Sequence, residues 1–276
     1  MNITSSLFND LRHTRRPALA ALALMAVLPL VTQAQVTVEA SADAYLRSYG
    51  TNATTNYGNG TLLQVKGGGN MGYARKGIIR FDFTGSNGAG AVDNSSITMT
   101  VLAGAGASPV GMVWNFAIYG LDGSATGQDW VEGSGETGVS GPTPPNAVTW
   151  NNAPGNNTAT TYSTDAATTT LVGTFSITGT GTNGDTITVS GDALDNFLST
   201  VVGSQYVSFL IVRTDTTGGA DASDNVIHQF ATRENTSYDG PSLTYTSIPE
   251  ASSSALVAGL IVLGALTFRH CKRRQS

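Results

Sequence analysis

Gly77-Ile78-Ile79-Arg80-Phe81-Asp82-Phe83 is the stretch on which the fold turns. In an extended chain successive side chains point to opposite faces. Ile79, Phe81 and Phe83 then share one face, and Ile78, Arg80 and Asp82 the other. A helix would scatter the same residues around its circumference, so the spacing predicts a strand with one apolar face. Working outward, comparable short runs recur on both sides. On the N-terminal side they are Val36–Glu39, Ala44–Arg47 and Leu62–Lys66. On the C-terminal side they are Ile97–Val101, Val113–Tyr119, Leu171–Ile177, Thr186–Val189, Gln205–Arg213, Val226–Ala231 and Ser242–Thr246. Gln205–Arg213 is apolar on both faces, which places it in the middle of a sheet. One helix is expected, over Asp192–Val202. Asp192 stands at its N-cap, Leu194, Phe197, Leu198 and Val201 follow i, i+3, i+4, i+7 spacing, and Gly203 stops it. Many short strands with Gly/Asn/Asp turns and one helix predict an all-β, antiparallel β-sandwich. Two long loops, about 120–147 and 151–170, are expected to interrupt it.

The two ends read differently. Arg12, Arg15 and Arg16 precede an apolar run from Ala18 to Val31, and Thr32-Gln33-Ala34 places small residues at −3 and −1 of a cleavage site. That order is a secretory signal peptide over residues 1–34. The apolar run is shorter than the roughly 20 residues a membrane span needs. At the other end, Pro249-Glu250 precedes an apolar segment at 255–268, and Arg269, Lys272, Arg273 and Arg274 close the chain. Positive charge beside a hydrophobic segment keeps that end cytoplasmic. This order resembles a PEP-CTERM sorting tail over 248–276, with Ala251 where that family usually carries a second proline. The resemblance implies a transmembrane sorting helix, an exosortase-type enzyme and the inner membrane as partners, and a final location at the cell surface or outside it. The alternative is an ordinary single-span anchor. Cys271, the only cysteine, lies in this tail, so residues 35–247 contain no disulfide.

Those central residues carry seven Lys+Arg against seventeen Asp+Glu, a net charge of −10. Such a surface repels phosphate backbones and argues against nucleic acid as a partner. An acidic ligand would need a local basic cluster. His228 is the only histidine of the segment and falls inside a strand-like run. There is no G-x-S-x-G, no HExxH and no cysteine nucleophile. Glu132 and Glu136 could pair for glycoside hydrolysis, but they stand in a Gly/Ser-rich stretch where solvated acids are expected. No cofactor is indicated. Structural calcium fits the Asp, Asn and Gly content, although Asp-x-Asp-x-Asp-Gly spacing is absent.

A further ordered series runs through the segment. It comprises Asp43-Ala44-Tyr45-Leu46-Arg47, Asn56-Tyr57-Gly58, Arg75 to Asp82, Asp129-Trp130-Val131-Glu132, Val148 to Pro154, Phe230 to Glu234 and Gly240 to Tyr245. It resembles the DNRLRE domains, related to the family-96 carbohydrate-binding modules. The resemblance implies a jelly-roll-like sandwich and an extracellular polysaccharide as partner. Sugar sites combine aromatic faces with polar groups that bond hydroxyls or carboxylates. Tyr45, Trp130 and Trp150 are therefore candidate stacking platforms, and Arg47, Lys66, Lys76 and Arg80 candidate polar groups. The competing structural reading has both tryptophans capping the core, and Arg80 paired with Asp82 or Asp43. Trp114, among alternating apolar neighbours, is assigned to the core. Three function classes remain open: a non-catalytic polysaccharide-binding module, a structural or adhesive matrix component, and a carbohydrate-active enzyme.

Overall fold

The computed structural model describes residues 34–68, 73–87, 89–123, 127–135, 144, 146–215 and 226–249. Among these, ten strands form in chain order: β1 (Ala34–Arg47), β2 (Leu62–Val65), β3 (Arg75–Asp82), β4 (Ala89–Ala105), β5 (Val113–Leu121), β6 (Thr169–Thr178), β7 (Thr186–Ser190), β8 (Tyr206–Arg213), β9 (Ile227–Ala231) and β10 (Ser242–Pro249). One helix, α1 (Asp192–Thr200), lies between β7 and β8, and two short 3-10 turns span Gly50–Thr54 and Thr84–Ser86.

Every pair of these strands is antiparallel. One layer runs β1-β3-β8-β5-β6, and the strand path continues from β1 through β10, β4 and β9 to β2, with β7 on β4. Strand β1 serves both layers. Its residues 34–39 pair with β10, and residues 40–47 pair with β3 after a register shift between Ala40 and Ala42. That bulge bends one strand around the corner. The two runs expected at Val36–Glu39 and Ala44–Arg47 are therefore one strand, and the small residues between them are its bend. Strand β4 divides its length likewise, first against β10 and then against β9. Asn94, at φ 52°, sits where its register with β10 shifts. Asparagine tolerates this left-handed backbone better than most residues, and the lost alternation there hid the first half of β4 from sequence reading.

The layers enclose one core. Ile79 and Phe81 of β3, Phe116 of β5 and Phe209 of β8 meet Ile97, Met99, Phe230 and Leu243 from the other layer, all buried. Leu194, Phe197 and Leu198 of α1 join the same cluster, with the Phe197 ring 5.7 Å from Phe209. The helix begins one residue differently from expectation. Gly191 is its N-cap at φ 123°, a backbone that favours glycine, and no side chain caps it. Asp192 is instead the first helical residue, where its charge suits the positive end of the helix.

A second cluster lies on the outer face of β1, β3 and β8. Ala42, Ala44, Leu46, Ile78 and Leu210 are covered there by Trp130, Val148, Trp150 and Ala153. The described parts of the two expected loops, 127–135 and 146–163, roof one layer of the sandwich. Strand β8 sits between β3 and β5 with both faces covered, which accounts for its apolar character throughout. Strand β10 runs to Pro249, two residues into the segment assigned to the sorting tail. The rest of that tail, with Glu250, Arg269, Arg273 and Arg274, and nearly all of the signal peptide lie outside the described residues, as does Glu136. Among the described residues no helix is long and apolar enough to cross a membrane.

Candidate functional site

The seven candidate side chains separate into three places. Trp130 and Arg80 meet beneath the roof. Trp130 is only 6% exposed and donates from Nε1 to Ser208 Oγ at 3.1 Å. The Arg80 guanidinium lies 5.2 Å from the Trp130 ring and 4.4 Å from Tyr206. Its Nη1 donates to the Trp130 carbonyl at 2.6 Å and its Nε to Ser41 Oγ at 3.3 Å. Among the described residues Arg80 makes no ion pair with Asp82 or Asp43. Asp82 accepts from Thr84 N and Oγ1 instead. Arg80 thus fastens the 127–135 loop to β3.

Lys76 and Trp150 form the second place. Both are buried, with Nζ 4.6 Å from the indole centre. Nζ also donates to Asn156 Oδ1 and to the carbonyls of Asn157, Thr160 and Ser163 at 2.8–2.9 Å. Burial pushes the Lys76 pKa down to about 7, and four oxygens take up its donors. The lysine pins the 156–163 loop onto β3. The stacking role expected of Trp130 and Trp150 requires an accessible ring face, and burial removes it. Tyr45, at 1% exposure, is excluded from direct stacking by the same observation.

The third place brings Arg47 and Lys66 together and adds residues that the sequence did not single out as ligands. Arg75 opens β3. It stands opposite Arg47 across the β1–β3 pair and opposite Lys66 across an isolated bridge, with both bridge N–H···O contacts at 2.9 Å. Cations facing one another across strands repel. Burial, followed by Arg75, Arg213 and Arg47, holds the Lys66 pKa below the ordinary lysine value. Burial, followed by Arg47, lowers that of Arg75. No carboxylate offsets either shift. Arg47 Nε and Arg75 Nε and Nη1 are buried and have no hydrogen-bond partner.

Aromatic rings surround these cations. Tyr45 stacks on Tyr57 at 4.6 Å, and the Arg75 guanidinium lies 5.9 Å above Tyr45. Farther out, the Arg47 guanidinium is 5.3 Å from the Tyr73 ring, and Tyr73 lies 5.6 Å from Tyr49 at 50°. Tyr49 and Tyr73 are 61% and 48% exposed. Both have left-handed backbones, at φ 78° and φ 66°, which costs a non-glycine residue on the order of 1–3 kcal/mol. The chain therefore holds two exposed aromatic rings side by side despite strain, at the edge of a cation cluster. Their sequence signals were only the adjacent glycines, Gly50 and Gly72, which mark turns without showing that the turns meet.

Two depressions, of about 280 and 220 Å³, lie elsewhere, around Leu171 and Phe197 and around Ile177 and Asp185. The first is apolar, and neither gathers cations. The tyrosine–arginine edge has the chemistry instead. An aromatic face accepts the apolar side of a sugar ring, and a guanidinium pairs with a carboxylate through two parallel bonds. Of the groups considered for catalysis, the two that lie among the described residues are engaged otherwise. His228 is buried with Nε2 3.0 Å from Gly179 O, and Glu132 is paired with Arg233 at 2.7 Å.

A family model described as carbohydrate-binding module family 96 matches residues 34–247. No curated protein matches the chain.

Proposed function

The chain belongs to carbohydrate-binding module family 96, and from that premise we propose that its β-domain is a non-catalytic module that holds an extracellular polysaccharide against Tyr49 and Tyr73. The observation that carries this reading is the pair of exposed, strained tyrosines beside Arg47, with Arg75 and Lys66 behind. The rings supply stacking area, and the cations select a sugar bearing carboxylates. Tyr45 supports the cluster from below.

Affinity electrophoresis and calorimetry against acidic and neutral polysaccharides test it, using the wild type, Tyr49→Ala, Tyr73→Ala and Arg47→Ala. Each ring that anchors the ligand should contribute about 1–3 kcal/mol, as buried contact residues do. That is a loss of roughly 5- to 150-fold in affinity. Undiminished binding in all three variants would move the site elsewhere. No binding by a folded wild type across a broad panel would favour a structural or adhesive matrix component.

Surface location accompanies this role. In the same reading residues 1–34 are removed on export. The tail from 248, with Pro249, Glu250 and the basic Arg269, Arg273 and Arg274, is presented at the inner membrane to an exosortase-type enzyme. Mass spectrometry of surface-extracted protein should then find both ends missing. A C-terminus intact to Ser276 would indicate an ordinary anchor.

A further inference from the structure

Four residues before Arg47 along β1, three carboxylates converge. Asp43 of β1, Glu132 of the 127–135 loop and Glu234, just after β9, each offer an oxygen, and these oxygens lie within 4.8 Å of one another. Three chain segments distant in sequence meet at this point, so the convergence is a product of the tertiary fold.

Much of the cluster is satisfied internally. The Asp43 N–H donates to Glu132 Oε1 at 2.6 Å, and the Arg233 N–H donates to Asp43 Oδ2 at 2.9 Å. The Arg233 guanidinium reaches Glu132 Oε2 at 2.7 Å and Glu234 Oε1 at 2.8 Å. Two oxygens are left over. Asp43 is fully buried, yet its Oδ1 has neither solvent nor a hydrogen-bond donor, and Glu234 Oε2 is likewise buried without a partner. Leaving a buried charged acceptor unpaired is costly. One guanidinium against three carboxylates leaves two negative charges. Arg80 is the next cation, but its donors go to Trp130 O and Ser41 Oγ.

We propose that Asp43, Glu132 and Glu234 form a divalent-cation site, taken by calcium, that ties β1 to the 127–135 loop and to the turn after β9. The donor set is oxygen only, with no histidine or cysteine, which selects a hard cation over zinc or copper. Calcium accepts six to eight oxygens in adaptable geometry, whereas magnesium demands a near-ideal octahedron and gives up water reluctantly. The site is independent of the glycan reading, because Tyr49 and Tyr73 take no part in it.

The test uses the full-length chain, stripped with a chelator and titrated by calorimetry and thermal denaturation. Calcium at pH 7.5 should bind with one-to-one stoichiometry and raise Tm in a concentration-dependent way, with magnesium at least tenfold weaker. Glu234→Gln, at a half-buried position, should weaken calcium at least tenfold and leave the chelated protein folded. Asp43→Asn should abolish binding. Asp82→Asn, an exposed acid outside the cluster, should bind as the wild type does. Absence of stoichiometric binding by folded wild type, or unchanged affinity in Glu234→Gln, would overturn the site. The first result would mean that a proton, not a metal, resolves the carboxylate repulsion.

Discussion

His228 shows how one buried side chain sets a pH dependence. Its ring lies 4.9 Å from Phe116 and 5.9 Å from Trp114, with Nε2 on the Gly179 carbonyl. That carbonyl can only accept, so Nε2 carries the proton in the neutral ring. Burial pushes the pKa down to about 4. The Gly179 bond and Asp215 oppose that shift, and Arg213 adds to it. The unfolded chain, with a histidine pKa near 6.5, binds more protons than the folded one between those values. Stability should therefore fall as pH drops from about 6.5 to 4, by on the order of 3 kcal/mol. His228→Gln keeps a donor for Gly179 and removes the titration. Urea midpoints at pH 7 and 4.5 should separate further in the wild type than in the variant, and equal separations would clear His228 of the effect. The tryptophans teach a related lesson. Polar neighbours suggested exposed platforms, but those neighbours serve the loop itself. Asn152 Oδ1 accepts from Thr149 N and Oγ1, and its Nδ2 donates to Ala147 O. Polar residues beside a tryptophan can build the turn that buries it.

At the scale of elements, what sequence reveals depends on how local its cause is. Strands β3, β5 and β8 were legible because alternation is written in each one: Ile79 and Phe81 inward, Trp114, Phe116 and Ile118 together, and apolar residues on both faces of β8. The bend in β1 and the bulged start of β4 were not, because there the pairing partner changes along the strand. The roof was illegible for the opposite reason. Residues 127–135 and 146–163 carry little periodicity, and their order comes from Lys76 and Arg80 reaching out of β3 to their carbonyls. Gly58 assists, because a Cβ there would collide with the Glu132 main chain. The tyrosine–arginine edge depends on register. Arg47 and Lys66 were visible as cations, but only pairing shows that Arg75 stands opposite both, and only two turns in left-handed backbone bring Tyr49 to Tyr73.

Over the whole molecule, charge sets the terms of binding. Residues 35–247 carry a net charge of −10, yet Arg47, Lys66, Arg75 and Arg213, four of their seven cations, gather at one end of the sandwich. Burial lowers the Arg213 pKa to about 10, well above neutrality, so that side chain stays charged. An approaching polyanion meets repulsion from the acidic body and attraction only at this end. Salt screens exposed charges within about 10 Å at 0.1 M, so it weakens both, but the short-range pairing at the edge dominates once the ligand is docked. Affinity for a polyuronate should consequently fall as salt rises from about 0.05 to 0.5 M, a range over which the screening length drops from beyond 10 Å toward 4 Å. A neutral polysaccharide, held by Tyr49 and Tyr73 alone, should bind more weakly and hardly respond to salt. Arg47→Ala should flatten the salt dependence for the polyuronate, whereas Tyr73→Ala should lower affinity at every salt concentration and preserve the slope. Calorimetry on the four combinations of variant and ligand reads these effects separately. Equal affinity for neutral and acidic chains, with no salt effect in either, would assign recognition to the rings and leave the cations without a role in it.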